Sequence, residues 1–342
     1  MNAPMNAPRN TPTFQLIGAT AVAEVLNDRH QQVIELVSDI YRLHGNGGTT
    51  NPDSYFLRFP ERPDARIIAL PARIEDDREI AGIKWIASFP GNHTESGLPR
   101  ASAVVILNDM ATGYPFACIE GAAISSHRTA ASAALGAGLL HPSRTAGSIA
   151  VVGAGPIARR ILEYLRASGW KTDRYRVHDT VEGRAELLRD ELTAQGARAE
   201  AVPDAEDAVR GAELVVLATT AAGPWLTDPT LLTAGQTVLN VSLRDIGVPV
   251  VLAAQNVLDD IEHCMKANTS PHLAEQATGA RDFVAGTISD LIEGRIAPDP
   301  ERPRIFSPFG LGVLDLALAR YIHGEAVGRG LAVSDENFFG LA

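Results

Sequence analysis

The stretch Ser148-Ile149-Ala150-Val151-Val152-Gly153-Ala154-Gly155-Pro156-Ile157-Ala158 decides the fold. A short apolar run that ends on glycine reads as a buried strand, and the G-x-G-x-x-A after it opens a helix over residues 157–167. Glycines at this point allow a tight turn and let the backbone approach a pyrophosphate, which then rests on the helix N-terminus. The next strand, residues 175–178, ends at Asp179, 24 residues after Gly155. That spacing suits an acid that hydrogen-bonds a ribose 2′-hydroxyl and repels a 2′-phosphate, so NAD is favoured over NADP. The candidate cofactor contacts are Gly153, Ala154, Gly155, Pro156, Ile157 and Asp179.

Toward the C-terminus, a helix over 182–195 and strands over 214–218 and 237–241 continue the alternation. Strands alternating with helices predict an α/β fold with a Rossmann-type, doubly wound parallel sheet. Thr219 and Thr220 stand directly after strand 214–218, at the carboxyl edge where such sheets bind ligands; they either line the nicotinamide-ribose side or begin a turn. Asp245 stands just after strand 237–241 at the same edge, and either faces the nicotinamide or is one of the many surface aspartates that follow strands. A last helix, 311–323, has no strand after it and is expected to pack back on an earlier domain.

Toward the N-terminus the grammar differs. Apolar residues at Val33, Val37, Ile40 and Tyr41 put a helix over about 20–44, with Gly45 placed to end it. Short β-type runs follow at 66–70, 80–89, 103–107 and 114–119, the last two joined by a turn at 108–113, and a small-residue helix spans 126–140. The length of 342 residues suggests about two domains, here with the nucleotide fold inserted between a sheet-rich domain and a returning helix. The expected division is 14–127 plus 312–342 against 128–311, with residues 1–13, which repeat M-N-A-P, set aside as a disordered tail.

Composition narrows the function classes. With 30 Lys and Arg against 41 Asp and Glu, the chain carries a formal charge of −11, a poor match for nucleic acid or anionic membrane. Cys118 and Cys264 are the two cysteines; they offer neither a disulfide framework nor a zinc site and fit a reducing cytosol. No apolar stretch approaches the roughly 18 residues of a spanning helix.

The strand around Ile80-Ala81-Gly82-Ile83-Lys84-Trp85-Ile86-Ala87 is apolar on both faces except for one lysine. A lysine buried there loses hydration, which lowers its pKa toward neutrality and suits it to acid/base work; the alternative is an edge-strand lysine snorkelling to water. Arg128 is expected in the first turn of the helix that Ser126 would cap, where a cation opposes the helix dipole, so its presence points to a nearby anion: a substrate carboxylate or a protein acid. Arg58 and Arg100 are further cationic candidates.

These residues carry a resemblance. Gly82-Ile83-Lys84 through Phe89-Pro90-Gly91-Asn92, Arg128-Thr129-Ala130-Ala131-Ser132, and Leu239-Asn240-Val241 through Asp245, together with the dinucleotide turn, resemble the ornithine cyclodeaminase and mu-crystallin family along nearly the whole chain. The stretches Asn51 to Pro60, Ala65 to Ala72, Gly97 to Asp109 and Val241 to Asp245 are most similar to members that oxidise a glutamate-derived secondary amine with NAD and hydrolyse it to 2-oxoglutarate and a diamino acid, which a siderophore or peptide-antibiotic pathway would consume. Cyclodeaminases of the family typically carry G-G-D-x-P-G-K where this chain has Leu243 to Pro249, so a cofactor-contacting lysine is replaced by Pro249, and a late-loop serine by Pro308; both departures favour redox chemistry over ornithine cyclisation. The resemblance implies Lys84 and Asp245 as the acid/base pair and Arg58, Lys84, Arg100, Arg128 and Phe309 as substrate contacts. It further implies Arg128, Thr219, Thr220, Ser242, Leu243 and Arg244 beside the cofactor, and a cytoplasmic homodimer formed through the N-terminal domain. Rival expectations are cyclodeamination, alanine dehydrogenation, ketimine reduction, or a noncatalytic cofactor-bound binding protein.

Overall fold

The computed structural model describes residues 12–340; the segment read as a tail lies, through residue 11, outside them. The chain forms two compact units. Among the described residues, one comprises 12–28, Gly48–Ile124 and 315–340, the other Arg29–Gly47 and Ser125–Leu314.

The second unit holds the dinucleotide turn. The eight strands of its larger sheet lie in the order Ala199–Ala201, Tyr175–His178, Ile149–Val152, Leu214–Leu217, Thr237–Asn240, Arg304–Ser307, Gln255–Leu258 and Val284–Thr287. Every pairing is parallel. Central strands such as Ile149–Val152 and Leu214–Leu217 are buried at every position, which is why they read as continuous apolar runs rather than alternating ones. Strand order reverses beside Ile149–Val152, so the carboxyl end of that strand, with the glycine turn on it, opens the crevice in which doubly wound sheets bind ligands.

The first unit is an eight-stranded sheet running Val333–Asp335, Phe14–Ile17, Pro115–Glu120, Ala101–Asn108, Ile80–Ser88, Arg62–Ile74 and Thr49–Thr50, with Tyr55–Phe59 also on Arg62–Ile74. Its pairings are antiparallel except that of Phe14–Ile17 with Pro115–Glu120. The lysine strand Ile80–Ser88 is therefore interior, bonded on both sides.

Four expectations need correction. The helix expected over 20–44 is two, Ala19–Leu26 and His30–Gly45, broken where Asp28 takes a φ of 55°. The second of these joins the nucleotide unit instead of the sheet domain, because Tyr41, His30 and His44 bond Ser132, Glu163 and Asp260 there. The helix expected to start at Ser126 starts at Gly121, where the Glu120 carboxylate accepts from the backbone N–H groups of Ala122 and Ala123; Arg128 thus stands two turns in, and the dipole argument for an anion beside it lapses. The final helix, Gly312–Gly328, is followed by a strand, Val333–Asp335, paired with Phe14–Ile17. Among the described residues no helix is long and apolar enough to cross a membrane, and no cluster of three or more His, Cys, Asp or Glu could hold a metal ion.

Candidate functional site

In the nucleotide unit, Gly153 has φ +89° and a Cβ on it would fall 2.6 Å from the Ala218 carbonyl oxygen, so only glycine allows the turn to pass this close to the neighbouring strand end. Gly155 precedes the helix Pro156–Ala167 in extended conformation, with Pro156 at the first helical position, where a missing N–H costs nothing. A Cβ on Gly155 would meet nothing within 4 Å, which leaves the space before the helix N-terminus open. Asp179 reaches back to this turn: its Oδ2 accepts from the Ala154 N–H at 2.7 Å and its Oδ1 from Val181 N–H at 2.8 Å. The Asp179 carboxylate is thus fixed against the glycine turn, an arrangement that fits a dinucleotide.

Asp245 is fully buried at the carboxyl edge of the same sheet. Ser242 Oγ donates to its Oδ2 and Thr219 Oγ1 to its Oδ1, each at 2.5 Å. Burial raises the carboxyl above the ordinary aspartate value, against the pull of hydrogen bonds from Ser242, Thr219 and Trp225. An acid tuned upward in this way serves as a proton acceptor closer to neutral pH. A cavity of about 10 Å³, the size of one water, is bounded by Asn240, Ser242, Leu243, Ser307 and Phe309. Thr219 bonds Asp245 rather than merely starting a turn, whereas Thr220 is exposed. Arg244 donates to the carbonyls of Asn268 at 3.1 Å and Ala267 at 2.6 Å, two residues held at positive φ, and so anchors the loop beside Asp245.

Arg128 is half-buried on its helix, and its guanidinium lies against Gly310: a Cβ there would fall 2.6 Å from Nη1. Phe309, the neighbouring residue, is half-buried.

In the sheet unit, Lys84 is 3 % exposed, in register with Leu70 and Val105 on the buried face. Its Nζ donates to Asp315 Oδ2 at 2.5 Å. Asp315 belongs to the helix Gly312–Gly328, whose Leu316 packs over Gly82, where a Cβ would collide with both Leu316 and the Ile106 carbonyl. Lysine burial was expected; its pairing with a buried carboxylate, which stabilises the ammonium form, was not. The signal for Asp315 is in the chain all the same, as a single acid inside the apolar run Leu314-Asp315-Leu316-Ala317-Leu318-Ala319. Arg58 is exposed, its guanidinium 5.2 Å from the Phe56 ring centroid. Its register with Arg66 puts it on the sheet face of Lys84, four residues along the strand, roughly 13 Å. Arg100 is exposed at the start of the strand next to the lysine strand, where its carbonyl accepts from Phe89 N–H.

Comparison with known proteins agrees with this anatomy. The model of the ornithine cyclodeaminase/mu-crystallin family matches residues 15–330. The N-((2S)-2-amino-2-carboxyethyl)-L-glutamate dehydrogenase of Staphylococcus aureus is 28% identical over 313 residues, 89% of this chain and 93% of that protein. The NAD(P)H-dependent anabolic L-arginine dehydrogenase of Pseudomonas aeruginosa is 32% identical over 317 residues, 90% of this chain and 96% of its own. Among solved structures, an archaeal alanine dehydrogenase dimer with bound NAD superposes with a TM-score of 0.84 at 24% identity, covering 96% of this chain and 100% of its own. The chain belongs to the ornithine cyclodeaminase/mu-crystallin family.

Proposed function

We propose that this member of the ornithine cyclodeaminase/mu-crystallin family, an NAD-dependent oxidoreductase acting on the CH–NH group of an amino acid, cleaves N-((2S)-2-amino-2-carboxyethyl)-L-glutamate oxidatively. The products are L-2,3-diaminopropionate and 2-oxoglutarate, and the diamino acid would feed a siderophore or peptide antibiotic. The observation that carries the redox reading is the buried Asp245 with its carboxyl raised by burial, at the carboxyl edge of a sheet whose glycine turn and Asp179 suit NAD. The substrate assignment is supported by the similarity to the Staphylococcus aureus dehydrogenase and by the stretches quoted above.

NAD, when bound, supplies the acceptor for the hydride leaving Cα of the glutamyl half. The remaining steps fall to the chain. Oxidation converts the secondary amine to an imine; Asp245 accepts a proton from the water that adds to it, and the carbinolamine collapses to ketone and amine. One water is consumed, and NADH and one proton are released with the two products. Lys84, paired with Asp315, supplies positive charge and a proton-transfer group. Arg128, Arg58 and Arg100 hold carboxylates of a substrate that has three, and Phe309 contacts its chain. Arg128, Gly153, Ala154, Gly155, Pro156, Ile157, Asp179, Thr219, Thr220, Ser242, Leu243 and Arg244 hold the cofactor.

The sheet unit supports a homodimer. Tyr55, Ala69, Trp85 and Val104 are in register on the face opposite Lys84; Tyr55 is 75 % exposed and Trp85 40 %, with Leu57 on the same face. An apolar row of this kind on an otherwise acidic protein is suited to a second copy.

Lys84→Ala tests the assignment directly. Turnover should be abolished while NAD still binds, and unchanged turnover would sink the role given to Lys84.

A further inference from the structure

Asp259 takes no part in the chemistry above, yet it is 2 % exposed, and both of its carboxylate oxygens bond the backbone of Phe309 and Gly310. Its Oδ1 accepts from Phe309 N–H at 2.9 Å and its Oδ2 from Gly310 N–H at 2.7 Å. Cys264 Sγ donates to Oδ1 at 3.2 Å and the Asp260 N–H at 2.9 Å. A buried carboxylate taken up by two successive amides of one loop fixes that loop's direction, because either amide left alone would be an unsatisfied buried donor. The fixed point needs a glycine: Gly310 has φ +96°, a conformation that glycine adopts readily and residues with a Cβ do not. Against its Cα lies the Arg128 guanidinium, so closely that a Cβ would fall 2.6 Å from Nη1 and 3.1 Å from Nη2. Tyr41 shows that acid and cation share one neighbourhood. Its hydroxyl, bonded to Ser132 Oγ at 2.7 Å, is raised first by burial and then by Asp259, and lowered by Ser132 and Arg128.

We propose that Asp259 is the positioning residue for carboxylate recognition: by pinning the Phe309–Gly310 backbone it sets the surface against which the Arg128 guanidinium is held. This rests on Arg128 as a carboxylate-binding group under the proposed function. The specificity for acidic substrates then depends on a buried acid that never touches them, and on a glycine whose missing side chain leaves room for the cation.

The test is a double-mutant cycle on 2-oxoglutarate binding to NADH-saturated protein, read by calorimetry, with NADH affinity and thermal midpoint measured for each variant. Arg128→Ala should weaken 2-oxoglutarate roughly 10- to 100-fold, as loss of a charged hydrogen bond does. Asp259→Asn, which sets an NH₂ donor against an amide donor, and Gly310→Ala should each weaken it about 5- to 20-fold with NADH affinity retained. In the Arg128→Ala background neither should add more than about twofold. A merely structural Asp259 would weaken binding equally in both backgrounds, and that result overturns the proposal, as does unaltered binding in a folded Asp259→Asn or Gly310→Ala protein. Gly310→Ala carries the test if Asp259→Asn does not fold. An Arg128→Ala protein that binds 2-oxoglutarate normally would instead overturn the role of Arg128 itself.

Discussion

Asp315→Asn removes one charge from a pair whose side chains are 2% and 0% exposed and whose Nζ and Oδ2 are 2.5 Å apart. At an effective dielectric of about 20, unit charges at that separation attract by roughly 7 kcal/mol. Desolvating each ion costs several kcal/mol, so the intact pair is close to neutral against an apolar replacement, whereas deleting one partner costs about 3–5 kcal/mol. The single substitution should therefore lose about that much stability, and Lys84→Met with Asp315→Leu should regain most of it while remaining inactive. Denaturant-dependent amide exchange over Ile80–Ser88 and its two neighbours reads the loss where it occurs. A single variant within about 1 kcal/mol of the parent, or a double variant no more stable than the single one, would refute the argument that the pair compensates two buried charges.

Three further outcomes follow from the nucleotide unit and one from the sheet. Asp179→Ala should raise the efficiency with NADP relative to NAD about tenfold or more, since the acid that repels a 2′-phosphate is gone; an unchanged ratio in steady-state kinetics contradicts its role. Gly153→Ala, which sets a Cβ 2.6 Å from a backbone oxygen at φ +89°, should cost about 1–3 kcal/mol of stability and most NAD affinity by fluorescence titration. Because burial raises the Asp245 carboxyl above its ordinary value, kcat/KM should fall as pH drops through that raised pKa. The native state also holds this proton more tightly than the unfolded chain, so Asp245 lowers stability as pH rises from the ordinary aspartate value through the raised one; Asp245→Asn should remove both dependences, and a pH–rate profile that keeps its acid limb contradicts the assignment. Trp85→Glu should shift sedimentation from dimer to monomer with the fold retained by circular dichroism, and a variant as dimeric as the parent refutes the proposed interface.

The nucleotide unit was legible because its strands are buried on both faces: Ile149–Val152 and Leu214–Leu217 are uninterrupted apolar quartets, and the glycine turn and Asp179 follow at spacings the cofactor dictates. Lys84 was legible as the one cation in an apolar strand. Its partner was not, because Asp315 lies 231 residues away and periodicity carries no information on which distant helix crosses a sheet. The start of the Arg128 helix was misplaced because the capping carboxylate, Glu120, ends a strand and belongs to no Ser-, Thr- or Asp-type cap pattern inside the helix. The strand Val333–Asp335 is exposed at all three positions, which removes the alternation by which strands are read. Asp259 escaped notice because its partners are backbone amides, which every sequence contains.

The central claim is tested most directly by product analysis. Incubation of the protein with NAD and N-((2S)-2-amino-2-carboxyethyl)-L-glutamate should release NADH, 2-oxoglutarate and L-2,3-diaminopropionate in equal amounts, with solvent oxygen from labelled water in the keto group of freshly formed product. Proline and ammonia from ornithine without net NADH, or no turnover of the adduct by protein that binds NAD, would contradict it.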